Sequence, residues 1–107
     1  MKRAFDIEIR RLEMGRDLVY LIGGGVTHIG ASATAYWHEN EVQVTLCTVP
    51  GHKEDQLAVE CARLACEQYK RTVTTVVGIH IPDASKEQIM LAVKTVHEAM
   101  QEELEKE

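Results

Sequence analysis

With 107 residues, 45% of them apolar, the chain is long enough for one domain around one buried core, with a radius of gyration of roughly 13 Å. A net charge of −5, from 12 basic and 17 acidic residues with no basic run, argues against nucleic acid and anionic membrane surfaces as partners. No apolar run approaches the ~20 residues of a membrane span, and "MKRAFDIEIR" lacks the apolar stretch of a signal peptide, so the expected location is cytoplasmic. The three cysteines, Cys47, Cys61 and Cys66, form no CxxC pair, and the expectation is buried free thiols rather than disulfides or a zinc knuckle.

The first half of the chain alternates. In "AFDIEIRRL", Phe5, Ile7 and Ile9 face one way and Asp6, Glu8 and Arg10 the other, the period of a strand. A short turn at Met14–Arg16 leads to a second strand, "DLVYLI". "GGGVTHIG" then separates it from a third, "ASATAYW". After "HEN" comes a fourth, "EVQVTLCTV", with Val42, Val44 and Leu46 on one face. Four successive strands with short connections predict an antiparallel meander.

Pro50 and Gly51 end that pattern. From Lys53 to about Lys70 the apolar period is helical, with Leu57, Ala58, Cys61, Ala62, Leu64, Ala65 and Tyr69 in one stripe. "TVTTVVGIHI" is β-branched and apolar on both faces, which predicts a fifth, interior strand. Ser85 and Gln88 have capping-box spacing and open a second helix, whose core stripe reads Ile89, Val93, Val96, Met100 and Leu104. The order ββββαβα predicts an α+β two-layer sandwich: a mainly antiparallel sheet with both helices on one face, in a single domain spanning residues 1–107. The other face would carry Val19, Leu21, Tyr36 and Trp37, apolar surface that a second copy of the chain would cover, giving a homodimer or larger assembly.

Strand direction sends the unusual residues to one edge. Gly23, Gly24, Gly25, Gly30, Gly51 and Gly78, both prolines (Pro50 and Pro82), and His28, His52 and His80 all fall where the second, fourth and fifth strands end. Both helices begin there, so their free N–H groups and positive dipole ends, together with Lys53, suit that edge to a phosphate or carboxylate on a larger, flatter body. The glycine run matches neither GxGxxG nor a Walker loop, and a flexible hairpin is its plain alternative. The three histidines lack the HxH or HxxxH spacing of a preformed metal pair. His52 with Glu54 or Asp55 would make an acid–base pair, and Cys47 with His52 a nucleophile pair, although an alternating strand favours a buried Cys47. His38 and His97 read as surface residues.

"THIGA", "VPGHKEDQLA" and "VVGIHIPDAS" resemble segments of the small LpdD-like proteins, known as prenylated flavin chaperones and as small accessory proteins of gallate decarboxylase. The similarity runs from about residue 5 to 100, and "PGHKED" and "HIGA" are its most specific parts. The resemblance implies a fold like that of the eukaryotic proteasome-assembly chaperones and a non-catalytic helper of UbiD-type hydroxyarylic-acid decarboxylases. Their cofactor, prenylated FMN, is made by a UbiX-type prenyltransferase. Carried onto this chain, it implies cofactor contacts, with prenylated FMN or FMN, from Gly24, Gly25, His28, Ile29, Gly30, Pro50, Gly51, His52, Lys53 and His80, and no catalytic residue or metal. A ligand-free assembly subunit and a small histidine-dependent enzyme are the competing readings.

Overall fold

The computed structural model describes residues 3–51 and 53–106. A 3-10 turn at Ala4–Asp6 precedes β1 (Glu8–Met14), β2 (Asp17–Gly25), β3 (Ala31–His38), β4 (Glu41–Thr48), α1 (Asp55–Tyr69), β5 (Val73–His80) and α2 (Lys86–Glu105). The element order and the class are those expected from the alternation and its switch to helical period. The first strand starts later than its pattern suggested, because Phe5 and Asp6 take positive φ of 56° and 55° in the turn.

The four-strand meander is not what forms. The five strands lie in the order β1-β2-β5-β3-β4, two antiparallel hairpins held apart by β5. β5 is parallel to β2, from Leu18↔Val73 to Gly25↔His80, and antiparallel to β3, from Ala31↔Val77 to Ala35↔Val73. The reason is burial: Val73, Thr75 and Val77 have no exposed area and Val76 is half-buried, so the strand apolar on both faces takes the middle place. The hairpin turns are two residues long, at Gly15–Arg16 and at Glu39–Asn40, whose φ values of 51° and 66° match the twist of paired strands.

Both helices pack on one face. Their buried residues join Leu18, Tyr20 and Ile22 of β2, Ala31, Ala33 and Ala35 of β3, and Val73 and Val77 of β5 in one core. Alanines on β3 face Ala58, Ala62 and Ala65 of α1, and these small side chains let the helix lie close over the strand. Thr75 donates its hydroxyl to the Ala58 carbonyl at 2.7 Å, satisfying the one polar side chain of that strand in the core. The Ser85–Gln88 capping box of α2 is present in both halves, at 3.1 and 2.8 Å.

Several individual placements differ from the sequence pattern. Trp37 follows the parity of Ala33 and Ala35 onto the helix face, where its Nε1 donates to the Cys66 carbonyl at 3.0 Å. Leu64 and Ile89, assigned to core stripes, are 41% and 52% exposed, because α1 and α2 touch only along part of their length. Cys47 is exposed: its parity on β4 points it to the helix-free face, on an edge strand. His97 is half-buried between the helices, with Nε2 3.5 Å from Glu60. On the helix-free face Val19, Leu21, Tyr36 and Val76 are half-buried.

Cys61 and Cys66 are buried, and burial pushes the Cys61 thiol from 9.0 up to about 12. Burial, together with the neighbouring Tyr69, likewise raises Tyr20 from 10.0 to about 12. Above pH 9 the folded chain therefore holds protons that the unfolded chain releases, so this contribution to stability is complete below pH 9 and is lost as pH rises toward 12. Urea unfolding between pH 8 and 10.5 is expected to show this decline, at up to about 1.4 kcal/mol per pH unit for each proton. Cys61→Ala should flatten it; an unchanged slope would mean that the thiol ionises freely in the fold.

Candidate functional site

Because β5 lies between β2 and β3, the chain leaving β2 must cross β5 before β3 can begin. Residues 26–30 make that crossing. Val26 N donates to the His80 carbonyl at 2.8 Å and Gly30 N to the Val77 carbonyl at 2.9 Å, pinning the loop at both ends. At the crossing point the His28 carbonyl occupies the space where a Cβ of residue 78 would stand, so only glycine fits there. Gly25 turns the chain with φ +61°, and a side chain on it would meet the His80 carbonyl. The glycine-rich stretch is therefore a place where the backbone comes close to its own chain.

β3 parts from β5 beyond Ala31, and the carboxylate of Glu54 takes over the amide this leaves. Glu54 Oε2 accepts from Ile79 N at 3.2 Å and Oε1 from Lys53 N at 2.9 Å. His28 Nε2 stands 2.9 Å from Oε2, while His28 Nδ1 faces the Val26 carbonyl at 3.2 Å. Both neighbours of the imidazole are acceptors, so its doubly protonated form donates to each and sets a positive charge against the carboxylate. Glu54 is 7% exposed, and Gly30 passes so close that a Cβ there would strike its carboxylate. A buried charge at the start of α1 is thus held by two backbone amides, an imidazole and the positive end of the helix. His80 completes the cluster, edge-on to His28 with ring centroids 6.2 Å apart.

Two clefts open on either side of this cluster. The first, about 350 Å³, lies between the starts of α1 and α2 and the end of β5. Leu57, Ile79, Ile81, Ile89 and Val93 supply its apolar walls, and Gly51, Lys53 and His80 also line it. The second, about 430 Å³, lies on the helix-free face beneath the crossing loop, with Thr27, His28 and Ile29 above Leu21 and Val76 and Arg10 at one side.

The edge inferred from strand direction does bring the candidate residues together, but the crossing loop divides them. Gly51, Lys53 and His80 face the first cleft; His28 and Ile29 face the second. Ile7 and Glu54 fill the space beside Gly24 and Gly30, Gly25 lies against His80, and Pro50 is exposed in the turn before Gly51. His52 lies outside the described residues. Among the described residues, no group of three or more His, Cys, Asp or Glu is placed to hold a metal ion. Sequence reasoning considered Glu54 only as a partner of His52 and missed its pairing with His28. The available signal was a glutamate at a helix start, where Ser, Thr, Asp or Asn normally caps.

No curated protein matches this sequence. Among solved structures, a chain from a chaperone complex for yeast 20S proteasome assembly is similar, with a TM-score of 0.48 and 12% identity, over 92% of this chain and 96% of that one. The family model of the prenylated flavin chaperone LpdD-like domain matches residues 1–107. That match spans the crossing loop, the His28–Glu54 pair and both clefts: the chain belongs to the LpdD-like family of prenylated flavin chaperones, accessory proteins rather than enzymes.

Proposed function

We propose that this chaperone holds prenylated FMN, or FMN, in the cleft between the helix starts and passes it to a UbiD-type decarboxylase in the cytoplasm, downstream of a UbiX-type prenyltransferase. The observation that carries this reading is the cleft's composition. Its apolar walls suit a flat ring system, and its volume lies at the lower end of the range of small-molecule sites, roughly 300–1,000 Å³. Lys53, exposed beside Gly51, supplies a charge for the phosphate, and His80 a second polar contact. Glu54 lies at the base, but its charge is matched by His28, so the phosphate belongs at the Lys53 rim and the rings inside. Gly24, Gly25, Gly30 and Pro50 shape that rim, His52 adjoins Lys53 in the chain, and His28 and Ile29 form the far side of the crossing loop.

The test is an anaerobic titration with reduced prenylated FMN and, separately, with FMN, read by flavin fluorescence and thermal shift. Saturable stabilisation is expected, with Lys53→Ala weakening it about tenfold, the scale of one charge-assisted phosphate contact of roughly 1.4 kcal/mol. His80→Ala should weaken it less. No saturation with either ligand would favour a second reading, a protein-binding assembly subunit. That reading has its own support in Val26, Ile29 and Met90, which are 58%, 64% and 64% exposed around this edge.

A further inference from the structure

The two edges of the sheet are built differently. β1 carries Glu8, Arg10, Arg11 and Glu13, charges of the kind that keep an edge strand from pairing. β4 carries only Glu41 at its start, has no proline or bulge, and pairs with β3 without interruption from His38↔Glu41 to Ala31↔Thr48. Val49 N donates to the Gly30 carbonyl, which sets the phase of this edge. By alternation, the amides and carbonyls of Gln43, Thr45 and Cys47 turn toward β3, and those of Val42, Val44, Leu46 and Thr48 turn outward.

We infer that β4 pairs with β4 of a second copy of this chain, antiparallel about a two-fold axis at Thr45, making one ten-stranded sheet. In that register Val44 lies opposite the partner's Leu46, and Val42 opposite the partner's Thr48. All four outward-facing residues then exchange backbone hydrogen bonds. Moving the axis one residue, to Val44, sets Thr48 against Asn40 in the hairpin turn; moving it to Leu46 sets Val42 against Pro50, which has no amide. Thr45 meets its own copy at the axis, a favourable cross-strand pair, and Leu46, 41% exposed in the single chain, is covered. The helices do not obstruct this: α1 lies over β3, so the two copies of α1 stand roughly 14 Å apart, three strand spacings, beyond the 8–10 Å of packed helices. This assigns the second copy to an edge rather than to the helix-free face, whose Val19, Leu21, Tyr36 and Val76 are already half-buried.

Sedimentation of the wild-type chain should give a dimer of about 24 kDa, twice the 12.0 kDa of one chain. Leu46→Pro removes one outward amide and leaves every bond to β3 in place, so it should return the mass to 12.0 kDa with an unchanged circular dichroism spectrum. In a Cys47→Ser background, Thr45→Cys should form an intermolecular disulfide on mild oxidation, and Thr48→Cys should not. A monomeric wild type, a dimer that survives Leu46→Pro, or a Thr45→Cys chain that does not cross-link would each overturn the assignment.

Discussion

Replacing Gly78 by alanine is expected to destabilise the chain by about 3 kcal/mol or more, or to prevent folding. The added Cβ would fall on the His28 backbone, which cannot yield as a flexible side chain would. The loop is tied down by Val26 N on His80 and Gly30 N on Val77, so lifting it breaks both bonds and draws His28 away from Glu54. For a domain of this size each kcal/mol corresponds to about 4–8 °C, so a fall in melting temperature of some 15 °C or more is expected. Gly15→Ala is the control. Its φ is also +61°, but nothing lies within 4 Å of the new carbon, and the cost should be the left-handed strain alone, about 1–2 kcal/mol. Thermal unfolding of the two variants separates crowding from strain; equal melting temperatures would mean that the loop does not cross β5 at Gly78.

Glu54→Ala is expected to cost about 3 kcal/mol, near the lower end for breaking a buried ion pair. The carboxylate accepts from Lys53 N, Ile79 N and His28 Nε2, and removing it leaves all three donors without that acceptor. The His28 side chain is 24% exposed and can turn toward water, which keeps the effect from the upper end. Glu54→Gln retains an acceptor for the amides and loses the charge, so a cost of about 1 kcal/mol is expected. A double-mutant cycle with His28→Ala, measured by urea unfolding, should show a coupling above about 1 kcal/mol. Additive costs, or a Glu54→Ala variant within about 0.5 kcal/mol of wild type, would show the carboxylate to be solvated rather than structural. The pair also joins the two clefts: Glu54 lines one and His28 the other, so its loss should disturb ligand binding at the helix-side cleft even though neither residue is assigned a ligand contact there.

Local pattern was enough to read the class, the ββββαβα order, the capping box and the gathering of glycines, prolines and histidines at one edge. Each depends on periods of two or 3.6 residues, on caps and turns, or on the up-down sense of successive strands, all of which act over a few residues. The interior place of β5 was legible for the same reason, since Val73, Thr75, Val76 and Val77 leave no polar face for water.

What local pattern did not contain was which strand neighbours which. Strand pairing between β2 and β3 would satisfy the same hydrogen bonds as insertion of β5 between them; the choice turns on burying a strand that has no wet face. That choice changes the meaning of "GGGVTHIG", from a hairpin tip to a crossing that needs Gly78, fifty residues further along the chain. It also creates the His28–Glu54 pair, because the crossing loop and the start of α1 meet only where β3 has left the Ile79 amide to be satisfied. Exposure of Cys47 and the turning of Trp37 onto α1 follow from β4 lying at the edge and from strand parity. Period and turn chemistry act between near neighbours, and the alternation shows in the residues themselves; the partners of a buried carboxylate are set by contacts 25 residues apart in the chain, which pattern cannot register.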